Sequence, residues 1–336
     1  MNKLGKIIKL RNNPRIEAYS SVVGPKEMQG PLQKYFDLSH PDERFGVKTY
    51  EQAESEMVRM AFETAVKKAN ISIGDIDLSL GGDLQNQCVA QSFGLISEKI
   101  PYIGLYGACS NMAEGLMLSG ILVDAGHFKR VTCSTSSHFA ASERQFRFPL
   151  EYGCQRTPTS QNTVTGAGTF IVSNNCDSEI YINEVLPGII TDMGIKDANN
   201  MGAAMAGAAA DTLERYFTSS DMKASDFDMI ITGDLGYEGS EILKELTAAV
   251  NVKLGENYYD CGNLIYDREK QDVHSGGSGC GCSAVVLASY IMNLFKTDKI
   301  NDILFIGTGA LLSSGSVLQK LSIPGIAHLV RISRNR

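Results

Sequence analysis

A nine-residue stretch occurs twice in this chain. Ile76-Asp77-Leu78-Ser79-Leu80-Gly81-Gly82-Asp83-Leu84 resembles Phe227-Asp228-Met229-Ile230-Ile231-Thr232-Gly233-Asp234-Leu235, 151 residues further on. Each copy reads as a short apolar strand closed by Gly-Asp-Leu. Each follows a helical pattern, Tyr50–Ala69 in one case and Ala203–Phe217 in the other. In the first, Ala53, Met57, Ala61 and Ala65, joined by Val58, Phe62 and Val66, recur at helical spacing. Glu51, Glu54 and Glu56 near its start and Lys67 and Lys68 at its end suit the helix dipole. Each copy precedes a second helix and then a glycine–cysteine turn. Tyr106-Gly107-Ala108-Cys109-Ser110 leads into Met112–Ala125, and Gly276-Gly277-Ser278-Gly279-Cys280-Gly281-Cys282 leads into Ala284–Phe295. Strands follow at Arg130–Ser134 and Asp302–Gly307. A chance match of Gly-Asp-Leu is cheap, but four elements in the same order point to duplication of an α/β half of about 150 residues. The expected fold is α/β, with halves at residues 1–175 and 176–336 and their strand-end loops meeting near the middle, where open α/β sheets bind ligands. Residues 1–48 read as irregular, with Gly24-Pro25-Lys26-Glu27 to Gly30-Pro31-Leu32 a loop.

Composition narrows the function classes. A chain of 336 residues, 43% hydrophobic and 21% charged, is globular rather than disordered. Its formal charge of −7 speaks against nucleic acid as a partner. Its apolar runs are short and broken by glycine or charge, so no membrane span is expected, and the polar, basic N-terminus shows no export leader. Eight scattered cysteines in such a chain read as reduced, mostly buried thiols. Only Cys280-Gly281-Cys282 approaches paired spacing and the five histidines show none, so no metal site is expected.

Several residues carry chemistry. Cys109 follows a strand-like segment and opens a helix, where the dipole favours a thiolate. It is a nucleophile, a thiol or backbone site holding an anion, or a small residue at a tight turn. Asp83 and Asp234 close the two equivalent strands, where they line a site or cap the next helix. Asp260, upstream of the second glycine turn, holds a cation, accepts a proton or anchors a turn. In Ser136–Pro149, Arg144 and Arg147 can fork onto carboxylates or pair internally with Glu143 or Glu151. His138 is an acid, a hydrogen-bond donor or buried structure. Thr163–Val172 is a glycine crossing into a strand and no phosphate loop, since it lacks lysine and a following helix. The glycines of 276–283 either cradle an anion or allow close packing.

With two halves, a cysteine at the first helix start and a glycine-rich second turn, the chain resembles the thiolase superfamily over nearly its whole length. Tyr106–Ser110 is similar to that family's nucleophile turn. Thr165-Gly166-Ala167-Gly168 is similar to its Gly-Asp-Gly-Ala segment, with Thr165 in place of Asp, and Gly307-Thr308-Gly309-Ala310 to its glycine-rich end. The resemblance implies a layered αβαβα architecture and a homodimer formed through the sheet edge of the first half. Condensing members place a histidine after the second-half strand and a histidine or asparagine at the later glycine turn. Here those positions hold Gly233-Asp234-Leu235 and Gly277-Ser278-Gly279, with His274 nearby but out of register.

A narrower set of motifs resembles a family of stage V sporulation proteins with a thiolase-like fold and no catalytic role. These are Gly24-Pro25-Lys26-Glu27, Gly82-Asp83-Leu84, Gly107-Ala108-Cys109-Ser110, Ser136-Ser137-His138, Ala141-Ser142-Glu143-Arg144-Gln145-Phe146-Arg147 and Gly276-Gly277-Ser278-Gly279-Cys280. That resemblance implies binding of dipicolinic acid (pyridine-2,6-dicarboxylate) or its calcium chelate. It also implies support of uptake into the developing spore, with membrane proteins as partners and no cofactor beyond accompanying calcium. The expected location is the forespore or spore, peripheral to the inner membrane through those partners. The expected ligand residues are Cys109, Ser110, Asp83, His138, Arg144, Arg147 and Asp260. The alternative is an acyltransferase with Cys109 as nucleophile.

Overall fold

Strands that are apolar at successive positions need cover on both faces of their sheet. The computed structural model, which describes residues 6–146 and 156–334, supplies that cover through five layers. Its 12-stranded sheet is two five-stranded runs joined at Arg15 and Tyr181, with two short flanking strands. The first run is ordered Arg15–Val23, Gly166–Ser173, Arg130–Ser137, Leu78–Gly82, Tyr102–Gly104. The second is ordered Tyr181–Leu186, Gly325–Ser333, Asp302–Ala310, Met229–Thr232, Tyr258–Asp260. In each, the first three strands are antiparallel to their neighbours and the last three run parallel. Identical strand order and pairing sense in both runs is the duplication that the sequence repeat suggests. The crossing between them lies in the turn from Ser173 to Tyr181.

Side-chain alternation builds the layers. Met229, Ile231, Ile303 and Phe305 of the second run, and Leu78, Leu80, Val131 and Phe170 of the first, enter one central core. That core also holds Met112 and Leu116 of helix Asn111–Asp124 and Val285 and Ile291 of the helical segment 280–296. The alternate residues face outward. Ala18, Val22 and Ile171 pack on Met57, Ala61 and Phe62 of helix Tyr50–Ala69. Ile230, Leu304 and Leu329 pack on Met205, Ala209 and Leu213 of helix Met201–Ser219. The order helix, sheet, paired helices, sheet, helix follows. Tyr50–Ala69 has the bounds its periodicity predicts, because both ends are closed chemically. Thr49 and Gln52 form a reciprocal capping box, and Asn70 takes the left-handed conformation at φ 55°.

The expectation that residues 1–48 are irregular is corrected by Arg15–Val23, a nine-residue strand at the inner edge of the first run. Its pattern is disguised by polar residues buried on it, and Ser20 Oγ donates to the Ala61 carbonyl at 2.5 Å. The second central helix opens at Cys280, earlier than expected, and passes through a π-type stretch at Leu287–Ile291.

Candidate functional site

The layering brings the loops at the carboxyl ends of both parallel strand sets to one place. From Tyr102–Gly104 the chain turns through Ala108, which holds φ 53°, an unusual value for a residue with a side chain. That turn delivers Cys109 to the start of Asn111–Asp124. Asn111 Oδ1 accepts the Gly107 N–H at 2.6 Å, and Ser110 Oγ donates to the Gly107 carbonyl at 2.6 Å. Strand Asp302–Ala310 of the second half presses on this turn through glycine. A Cβ at Gly309 would lie 2.3 Å from the Gly107 carbonyl oxygen.

Cys109 is 6% exposed, and the second half supplies its polar surroundings. Its Sγ lies 4.0 Å from Ser278 Oγ. Ser278 Oγ donates to Asp234 Oδ2 at 2.8 Å, the Gly279 N–H donates to the same oxygen at 2.9 Å, and Thr308 Oγ1 donates to Asp234 Oδ1 at 2.8 Å. Gln161 Nε2 holds the Asp234 carbonyl at 2.7 Å. Burial, and then the Asp234 carboxylate, push the Cys109 thiol well above its ordinary range, while Ser278 and the Gly279 N–H pull the other way. Burial also raises Asp234 against the donors around it, the Gly279 N–H, Ser278, Cys109 and Thr308. An imidazole would draw the proton from sulfur and stabilise a thiolate as an ion pair. An aspartate behind a serine keeps the proton on sulfur. A second thiol closes the floor, with Cys280 Sγ 3.0 Å from the Ala108 carbonyl and accepting from Asn111 Nδ2 at 3.6 Å.

His138, His274 and His328 are engaged elsewhere. His138 accepts the Ala140 N–H at Nδ1 (3.2 Å), so its proton sits on Nε2 and donates to the Glu43 carbonyl at 2.8 Å. The ring packs on Tyr50, and burial lowers its pKa, so it is a neutral, structural imidazole. His274 Nε2 lies 3.1 Å from Asp272, and His328 Nδ1 accepts the Gly188 N–H.

Of the seven residues expected to hold a ligand, Cys109 and Ser110 share one turn. The Ser110 hydroxyl bonds back within that turn. Asp83 accepts the Gln85 N–H at 2.8 Å and the Gln91 N–H at 3.0 Å, holding the start of helix Val89–Leu95. Asp260 accepts Thr232 Oγ1 and the N–H groups of Leu235, Gly236 and Asn263, all within 3.2 Å. It anchors two helix starts, the turn-anchoring member of its alternatives. Arg144 pairs with Glu51 at 3.1 Å over the Tyr50 ring, the internal arginine–glutamate option with a different acid. Arg147 lies outside the described residues. Ser278 and Thr308 are not among the residues the sequence marks as ligand-binding, although Ser278 falls at the register position of the absent histidine or asparagine. The described residues include no cluster of three or more metal-ligating side chains, and no helix among them is long and apolar enough to cross a membrane.

Comparison with known proteins matches residues 5–333 to the family described as Stage V sporulation protein AD. The Stage V sporulation protein AD of Bacillus subtilis (strain 168) is 41% identical over 319 residues, covering 95% of this chain and 94% of that protein. Among solved structures, 3-oxoacyl-[acyl-carrier-protein] synthase III from Aquifex aeolicus VF5 superposes with a TM-score of 0.58 at 16% identity, over 95% of this chain and 99% of that one. Cerulenin-bound OleA of Xanthomonas campestris superposes with a TM-score of 0.62 at 11% identity, over 97% and 100%. At these identities the likeness establishes the thiolase-like fold.

Proposed function

The chain belongs to the stage V sporulation protein AD family, and we propose that it serves sporulation as a receptor for dipicolinate or its calcium chelate, not as an acyl-transfer enzyme. The observation that carries this reading is the company of Cys109. The junction of the two halves keeps its thiol, but Asp234 and Ser278 stand where an activating imidazole and amide would be needed. A thiol held protonated cannot accept an acyl group efficiently. It can still pack against a planar ring and offer a weak donor to a carboxylate.

The electrostatics favour the chelate. Asp234 is buried beside Cys109, while Asp83 and Asp260 are taken up by the helix-start amides they hold. A free dianion meets the Asp234 carboxyl there, whereas a calcium ion between ligand and protein removes the repulsion. Uptake of such a ligand into the spore requires membrane proteins as partners, and this chain would sit beside the inner spore membrane through them. The exposed edge strand Tyr102–Gly104, with Ile103 51%, Tyr106 65% and Phe93 65% exposed, suits pairing with a second copy of the chain.

Calorimetric titration of the purified protein with dipicolinate, with and without calcium, tests the proposal. Saturable binding is expected, weakened about tenfold or more by Cys109→Trp, which crowds the space around the thiol. Incubation with acyl-CoA, followed by mass spectrometry of the Cys109 peptide, is expected to leave the thiol unmodified. Absence of saturable binding together with a stable acyl adduct would establish the acyltransferase instead.

A further inference from the structure

At the opposite end of the first-half sheet, where Arg15–Val23 and Arg130–Ser137 begin, the surface opens into a groove of about 940 Å³. Arg15 and Arg130 are both register partners of Ser173 on the strand between them, so both rise from one side of the sheet. Lys68, Lys296 and Arg334 complete the basic lining. Three of these five are neutralised in place. Arg130 forks onto Glu17 at 2.7 and 2.8 Å, Lys68 binds Asp37, and Arg334 binds Asp298.

Two features remain unmatched. Arg15 donates Nη1 to the Cys176 carbonyl at 2.6 Å and stacks over Tyr181, but its buried Nε has no acceptor, and neither has the buried Nε of Arg334. Among the described residues no carboxylate pairs with Arg15, and none pairs with the exposed Lys296. The remaining acids of the lining, Asp177 and Glu179, lie exposed on the turn after Ser173 and form the rim. The inner acid of the lining, Glu17, is taken by Arg130, so among the described residues the groove offers no acceptor to these remaining donors. Charge-assisted bonds from guanidinium to phosphate are the strongest that could answer such donors.

We propose that this groove binds a multiply charged oxyanion, with phosphate as its recognised chemistry, at a site separate from the Cys109 cleft. The phosphate belongs either to a small molecule or to a lipid headgroup, and two probes separate these sources. Inorganic pyrophosphate is titrated into the full chain by calorimetry. Vesicles of phosphatidylglycerol and phosphatidylcholine, with pure phosphatidylcholine as control, are used in co-sedimentation. Saturable pyrophosphate binding weakened about tenfold or more by Arg15→Gln/Lys296→Gln assigns a free phosphate compound. Binding to the anionic vesicles alone, lost in the same variant, assigns a headgroup. Lys296→Gln, a change at an exposed residue that leaves the fold intact, gives a smaller loss in the same direction. Lys244→Gln, at a surface lysine paired with Glu241, leaves binding as it was. No binding of either probe, or binding indifferent to Arg15 and Lys296, overturns the proposal. Dipicolinate titration of Arg15→Gln/Lys296→Gln is expected to match wild type, so failure here is distinct from failure of the receptor reading.

Discussion

Asp83 and Asp234 occupy the same place in the two halves, in the Gly-Asp-Leu at the ends of Leu78–Gly82 and Met229–Thr232, yet they do different work. Asp83 stays within its own half and holds the amides of Gln85 and Gln91. Asp234 turns inward to Ser278, Gly279 and Thr308 and faces Cys109. The second half still needs an acceptor for the amides that follow its strand. Asp260, from the neighbouring strand Tyr258–Asp260, takes the N–H groups of Leu235 and Gly236. That substitution of one carboxylate for another is what releases Asp234 for the cleft. Duplication therefore preserved the scaffold and divided the labour, with a capping carboxylate in each half and one more left over beside the thiol.

The largest effect is expected where capping is removed. Asp260→Ala strands the amides of Leu235, Gly236 and Asn263 and the Thr232 hydroxyl in a dry interior. Urea unfolding should report a loss of roughly 3 kcal/mol or more, with Asp260→Asn losing less because it keeps one acceptor oxygen. If Asp260→Ala were no worse than Asp83→Ala, the idea that Asp260 carries the second half's turn alone would break.

Substitutions at Asp234 come next and act on reactivity. Asp234→Asn removes the negative charge that penalises the thiolate, so the Cys109 pKa falls. Alkylation of Cys109 at pH 8 by iodoacetamide, followed on its peptide by mass spectrometry, should accelerate roughly tenfold. Asp234→His places an imidazole beside the sulfur and should accelerate it further. Equal rates in all three proteins would mean that burial alone silences the thiol, and the contrast between Asp83 and Asp234 would lose its chemical meaning.

Much of this is legible in the sequence. The repeat of Gly-Asp-Leu marked equivalent strand ends, and the glycine–cysteine turns marked the two central helices. The register of the expected but absent histidine and amide fell on Asp234 and Ser278, the two groups found beside Cys109. What stayed hidden depends on long-range geometry. Arg144 finds Glu51, which is 93 positions away, rather than a neighbouring acid. Asp260 finds amides 24 and 25 positions upstream, and no local spacing reports that. The strand Arg15–Val23 escaped because its buried serines read as polar until Ala61 is seen to accept from Ser20.

The smallest expected effect concerns the acid next to Asp83. Glu54 of helix Tyr50–Ala69 is fully buried and accepts from Gln85 Nε2 at 2.7 Å and Ser136 Oγ at 2.9 Å. Burial, then the charge of Asp83, raise it to about 8, and burial raises Asp83 to about 6. The folded protein thus holds protons that the unfolded chain releases near pH 4. Where the folded state binds more protons, stability falls as pH rises. The contribution is complete below about pH 4 and is lost progressively up to about pH 8. Asp260 of the second half, raised by burial to about 7, adds to the same slope, so the Glu54–Asp83 pair supplies part of it. Glu54→Gln keeps the side chain's shape but cannot titrate. It should cost about 1 kcal/mol at pH 5 through one lost acceptor and flatten the decline in melting temperature between pH 5 and 8. A decline as steep in Glu54→Gln as in wild type would move the proton from the Glu54–Asp83 pair to Asp260, whose carboxyl is raised to about 7.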